Sequence, residues 1–183
     1  MWMSEIRVEF VFGMVDHLLD LELNDFWVRN SKSYKMQMQV FRGNLSPFQE
    51  SLSLAGSPLS RHPAAIARDP YGEINGVVFV VLKELEASLG LGTHAYFQYM
   101  YVVPSSRNLR LSNSLFLKYL ISFEHSLEKR DHRAQYLIAD NIHPGLRQAS
   151  LRRDFSRRGF RMFGASGPRG EVWIKPLEVL YQF

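Results

Sequence analysis

The chain opens with an alternation: Ile6, Val8, Phe10 and Phe12 are apolar, with Arg7 and Glu9 set between the first of them. A period of two puts successive side chains on opposite faces, so residues 5–12 predict a strand. From 14 to 28 the spacing turns helical, with Met14, Leu18, Leu21 and Asp25-Phe26 marking turns. Residues 30–63 carry helical fragments around 35–41 and 47–54, interrupted by Gly43, Pro47, Gly56 and Pro58. Beyond them the signals sharpen. Residues 64–68 form a short strand, and Asp69-Pro70-Tyr71-Gly72 has proline and glycine where a turn wants them. A β-branched run at 76–82 and a long aromatic run at 95–103 predict two more strands. Residues 105–113 read as a polar loop bearing arginines, and 114–129 as a helix through Leu115, Leu117, Leu120, Ile121 and Leu127. A strand at 136–139, a helix at 148–158 and strands at 161–164 and 171–175 complete the chain.

This order, with hairpins early and a strand–helix–strand crossover late, predicts an α/β (α+β) fold: a mixed, mostly antiparallel sheet flanked by helices. The length of 183 residues suits a single domain spanning 1–183. Residues 1–63 would supply the first strand, helices and a covering loop, and 64–183 the core.

Composition narrows the chemistry. With 46% apolar and 22% charged residues a core of ordinary size forms without staples. The chain has no cysteine, which excludes thiolate catalysis, disulfides and Cys-ligated zinc, and no metal site is expected. The first residues lack the basic-then-apolar pattern of a secretory signal, and no apolar run nears the roughly 18 residues that cross a bilayer. A soluble, cytoplasmic protein without a membrane partner is expected. The net charge of +4 gathers at Arg133, Arg147, Arg152, Arg153, Arg157, Arg158, Arg161 and Arg169. Such a cluster attracts polyanions, coenzyme phosphates included, and equally suits a solvated helix face. Nucleic acid as a partner rests on that charge alone, since no nucleic-acid-reading motif accompanies it.

The informative stretch is Met100-Tyr101-Val102-Val103-Pro104-Ser105-Ser106-Arg107-Asn108-Leu109-Arg110-Leu111-Ser112-Asn113. A strand ends at a proline, a short loop follows, and a helix opens. The first turn of a helix leaves about four N–H groups unpaired at the positive end of its dipole, a ready seat for a diphosphate. Val102, Pro104 and Arg107 stand at the spacing of apolar-x-Val-x-Pro-x-x-Arg/Gln-x-x-Gly-x-Gly/Ala, so the segment resembles the coenzyme-binding loop of the GNAT superfamily of N-acetyltransferases. Arg110 and Ser112 replace its two small residues, where side chains take up room that phosphate oxygens would use. Gln148 to Phe160 resembles the same family's Asn-x-x-Ala-x-x-Leu-Tyr-x-x-x-Gly-Phe helix, with Gly159-Phe160 closing it. Together the two segments cover residues 64–176.

That resemblance implies the GNAT-like acyl-CoA N-acyltransferase fold and direct transfer from acyl-CoA, acetyl-CoA foremost, to an amine of a small molecule or protein. Main chain at Met100, Tyr101 and Val102 would hold the pantetheine arm. Arg107, Asn108, Leu109, Arg110, Leu111, Ser112 and Asn113 would cradle the diphosphate, and Gln148 would bond the coenzyme arm. The family's usual acid is a tyrosine at the position of Phe155, which has no proton to give; Tyr99, Tyr101 and Tyr136 are sheet alternatives, and packing with a satisfied hydroxyl is the commoner fate of each. Asp140 and His143, at a strand end, are the candidate bases, against a reading in which they only shape the turn. Glu73 and His94 read as surface turn residues. The alternative function is a GNAT-fold binding module, impaired in catalysis, that acts through a protein or nucleic-acid partner. A homodimer is left open.

Overall fold

Residues 6–42, 60–141, 143–166 and 170–178 are described by the computed structural model. The alternation near the start forms β1 (Arg7–Phe10), and the helical spacing after it becomes one continuous helix, α1 (His17–Arg42). β2 (Ser60–Arg68) and β3 (Ile74–Glu84) follow, then β4 (His94–Val102), α2 (Leu109–Glu124), β5 (Ala134–Asn141), α3 (Ala149–Arg157), β6 (Arg161–Ser166) and β7 (Gly170–Pro176). The seven strands form one sheet in the order β1-β2-β3-β4-β5-β7-β6. β1 pairs β2, β5 pairs β7 and β6 pairs β7 antiparallel, while β4 and β5 run parallel. A parallel pair needs a crossover, and α2 provides it. The mixed sheet with flanking helices is the fold class expected from the sequence.

Two elements depart from the sequence reading. The fragment at 35–41 is the last part of α1, because no glycine or proline interrupts residues 17–42. The fragment at 47–54 lies outside the described residues. Of the positions that mark the helical spacing, Phe26 is buried, whereas Met14, Leu18 and Leu21 are exposed; Leu23 is buried as well. The region read as a loop through residue 113 turns helical at Leu109, since Asn108 caps the helix there.

The contacts divide the chain into two compact units. The first comprises Met1–Lys35, His62–Val80 and Tyr99–Lys129. In it α2 buries Leu111, Leu115, Tyr119 and Phe123, a stripe repeating every four residues. A Cβ on Gly76 would lie 3.1 Å from Leu115 Cδ2 and 3.3 Å from Val102 Cγ2, a tight fit that would make those side chains give by a few tenths of an ångström. Phe12 meets Phe123 edge-on at 5.0 Å. Each such ring or leucine contributes about 1.5–3 kcal/mol by burial. α1 supplies Phe26 and Trp27, which pack with Tyr34, Phe79 and Tyr101.

The second unit comprises Met36–Arg61, Val81–Gln98 and Arg130–Phe183. Leu137, Ile138 and Ala139 of β5 are buried with Val172, Trp173 and Ile174 of β7. α3 adds Phe155, which packs 4.9 Å from Phe160 and 5.7 Å from Trp173. The helix ends at Gly159, whose φ of 83° lies in the left-handed region, and the Phe160 N–H then bonds the Phe155 carbonyl at 3.1 Å.

Candidate functional site

β4 is buried at both ends and opens in the middle: Gln98 and Tyr99 are half-buried and Met100 is exposed, between buried Phe97 and buried Tyr101. Its register with β5 runs from His94↔Ala134 to Gln98↔Ala139 and ends there. Residues 99–102 continue the strand past the last of those pairs. Tyr101 and Val102 are 1% and 4% exposed, so only their main chain is available to a ligand.

The strand leads into a 3₁₀ turn, Pro104–Ser106, and then into α2. Arg107 folds back, its Nη2 donating to the Val102 carbonyl at 2.9 Å, which ties the loop to the strand end. Asn108 is an N-cap: its Oδ1 accepts the Leu111 N–H at 2.8 Å and its carbonyl accepts from Ser112 N at 3.1 Å. Those two amides are thereby engaged, and the Leu111 side chain is core. The N–H groups of Asn108, Leu109 and Arg110 find no acceptor among the described residues. All three residues are exposed, and the Arg110 guanidinium forms no ion pair among the described residues. Three consecutive donors at the positive end of a 16-residue helix, beside Arg107 and Arg110, are suited to an anion. Ser112 is half-buried and Asn113 exposed, one turn further on.

The other expected site residues lie in the second unit. Asp140 is half-buried on β5 opposite Val172. His143 starts a second 3₁₀ turn, Pro144–Arg147, with its Nδ1 accepting the Gly145 N–H at 3.0 Å. Gln148 is exposed at the start of α3 and makes no side-chain cap. Phe155 stands in the aromatic core, consistent with a residue that packs instead of donating a proton.

Of the sheet tyrosines, Tyr101 donates to Ser33 Oγ at 3.0 Å and Tyr99 stacks on Phe79 at 5.2 Å. Glu73 is a turn residue, paired to Arg29 at 3.1 Å. His94 is not on the surface: it is 8% exposed as the first residue of β4, with Nδ1 2.9 Å from Thr93 Oγ1. The arginines sort themselves. Arg152 pairs with buried Glu171, which also accepts from Trp173 Nε1 at 3.1 Å, and Arg158 pairs with Asp154 at 2.8 Å. Arg133 holds Asp131, pulling that carboxyl down to about 2.

Sequence reading passed over Gln98. Its Oε1 is buried with no hydrogen-bond partner among the described residues, a state that costs about 1–3 kcal/mol. The available signal was a lone amide in an apolar and aromatic strand. No described group of His, Asp and Glu could hold a metal, and no described helix is long and apolar enough to cross a membrane.

No family model and no curated protein matches the chain. Solved structures do. It is similar to an acetyltransferase of the GNAT family from Streptococcus pneumoniae, at 13% identity and TM-score 0.50 over 94% of this chain and 100% of that one. Another GNAT-family acetyltransferase, from Staphylococcus aureus, matches at 15% identity and TM-score 0.46 over 95% and 100%. A GNAT-family N-acetyltransferase from Escherichia coli, solved in complex with CoA, matches at 14% identity and TM-score 0.47 over 95% and 81%. The chain has the GNAT acyl-CoA N-acyltransferase fold.

Proposed function

We propose that the chain is an acyl-CoA-dependent N-acyltransferase, with acetyl-CoA as donor and an amine of a small molecule or protein as acceptor. The observation that carries this reading is the run of unengaged amides at Asn108, Leu109 and Arg110 directly after an opened strand. A diphosphate placed there gains three main-chain hydrogen bonds, the helix dipole and two guanidinium groups. Neither departure from the family motif undoes this. Arg110 is exposed, so it adds a cation, and half-buried Ser112 is small.

In the reaction the acceptor nitrogen attacks the thioester carbonyl, the N–C bond forms, and the C–S bond breaks to release the CoA thiolate. The main chain of β4 at Met100, Tyr101 and Val102 would bind the arm. Asp140 and His143 are the residues we assign to taking the proton from the amine, and Gln148 to the arm. Phe155 gives no proton, so the thiolate leaves unprotonated and takes one from water. A donor is not essential to that step because a thiolate is a weak base.

The buried Phe155 favours a second reading, a protein that binds the coenzyme or a partner and transfers little. Calorimetry with acetyl-CoA tests the site, and a thiol-release assay over a panel of amines tests the transfer. Binding with release supports the enzyme, and binding alone the second reading. No heat with any thioester overturns both coenzyme readings.

A further inference from the structure

Residues 95–102 of β4 are Ala, Tyr, Phe, Gln, Tyr, Met, Tyr and Val, which makes Gln98 the single amide in that run. It occupies the last β4–β5 rung, opposite Ala139, and Ala139 stands opposite Trp173 of β7. Residues paired across a ladder share a face. Gln98, Ala139 and Trp173 therefore form one row across three strands, and Phe155 of α3 packs on the Trp173 end of it. The row runs from the rung where β4 loses its β5 partner to the ring that occupies the family's acid position.

A polar side chain held in such a row without a partner breaks the local rules of a strand, and such breaks gather at functional positions. The atom left over is Oε1, an acceptor, so what it lacks is an N–H. β4 contains no carboxylate from His94 to Val102, so the strand offers a neutral donor a partner and a protonated amine none. The pantetheine arm of any acyl-CoA carries two neutral amide N–H groups. Gln98 is half-buried though its Oε1 is buried, and its terminal amide torsion is broad and two-fold, so a turn of the amide would present the oxygen to a ligand while the strand stays in place.

Building on the transferase reading, we infer that Gln98 is a coenzyme-binding side chain whose Oε1 accepts a hydrogen bond from an amide N–H of the pantetheine arm. The arm then replaces the missing donor, and the free protein carries the cost of the unpaired oxygen until it binds.

The test compares wild type with Gln98→Leu by calorimetry, using acetyl-CoA and adenosine 3′,5′-bisphosphate, which has the nucleotide but no arm. The variant should bind acetyl-CoA about tenfold more weakly and the bisphosphate as wild type does. Its melting temperature without ligand should hold or rise by roughly 2–4 °C, because an unpaired buried acceptor is gone. A purely structural glutamine would lower it. Gln98→Met, unbranched and close in volume, serves if the leucine variant does not fold. Unchanged affinity for acetyl-CoA, or equal losses for both ligands, overturns the role of Gln98 and leaves the transferase reading standing. An unchanged acetyl-CoA affinity with a raised KM for the amine assigns the oxygen to the acceptor and also overturns it. If wild type binds neither ligand, the transferase reading itself falls.

Discussion

The chain uses one local plan twice. β4, the 3₁₀ turn Pro104–Ser106 and α2 form a strand, a proline-led turn and a helix; β5, the turn Pro144–Arg147 and α3 repeat it. Both helix starts are exposed, so a helix start alone does not make a site. The difference lies in what surrounds each one. β4 runs on beyond its β5 register, and its helix of 16 residues is capped by a side chain and leaves three adjacent amides open. β5 keeps its β7 partners to Asn141↔Glu171, and its helix of nine residues is uncapped and spends its buried position on Phe155. The first copy leaves main chain unengaged, and the helix of the second closes a core.

The sharpest way to break that contrast is to attack the second copy where it is only structural. Trp173→Ala removes the ring that Phe155 packs on and the donor to Glu171, and should cost about 3–5 kcal/mol in chemical denaturation. A loss below about 1 kcal/mol would mean that α3 is held some other way. Next in size is charge reversal at each helix start. Arg110→Glu puts a carboxylate beside the open amides and should weaken acetyl-CoA by roughly tenfold to a hundredfold, equivalent to about 1.5–3 kcal/mol. Arg153→Glu, on the exposed face of α3, should change the same titration by less than about twofold. Equal losses would point to a diffuse cationic field in place of a site at α2.

How much of this was legible depends on which physical signal each element used. Strands β3 and β4 were plain because β-branched and aromatic runs bounded by turns have few other readings. The Gly159 stop was equally plain, since a left-handed residue closing a helix is nearly always glycine. The start of α2 was not, because Asn108 caps with a hydrogen bond to Leu111 that becomes visible only when the fold sets the backbone. In the first helix the spacing marked Phe26, which is buried, but passed over buried Leu23, while Leu18 and Leu21 share the spacing and face outward. At the site, the strand-to-helix segment could be seen in Val102, Pro104 and Arg107. Gln98 showed only as a lone amide in an aromatic strand, since nothing in a sequence says that a glutamine oxygen lacks a partner.

Capping offers a finer test of the same contrast. Asn108→Ala should cost about 1 kcal/mol, lowering the melting temperature by roughly 2–4 °C, because the Leu111 amide loses its acceptor. Gln148→Ala, at the matching position before α3, should stay within about 0.5 kcal/mol, since that side chain caps nothing. The asparagine variant has a second readout. Freeing a fourth amide at the start of α2 adds a donor where we place the diphosphate, so acetyl-CoA affinity should not fall in step with stability. A parallel fall would show that the cap itself shapes the cradle.

The smallest effect is in acid, where the two copies should part company. Burial pushes the His62 imidazole below its ordinary 6.5; its ring stands edge-on to Phe12 at 5.7 Å, and Phe12 in turn packs on Phe123 of α2. The folded state therefore favours neutral His62, so the unfolded chain binds more protons as pH falls past about 6.5, and stability is lost progressively below that point. Ahead of β5, Asp131 acts with the same sign but over a lower pH range. Arg133 bonds its carboxyl and lowers it from 3.8 to about 2, so this contribution is intact above 3.8 and disappears only as pH falls toward 2. Melting curves between pH 7.5 and 5 should thus show a shallow decline that His62→Phe removes and Asp131→Asn leaves in place. If Asp131→Asn flattened that slope and His62→Phe did not, the acid-sensitive contact would belong to the β5 copy, and the anchoring of α2 through Phe12 would not be the part of the fold that protons loosen first.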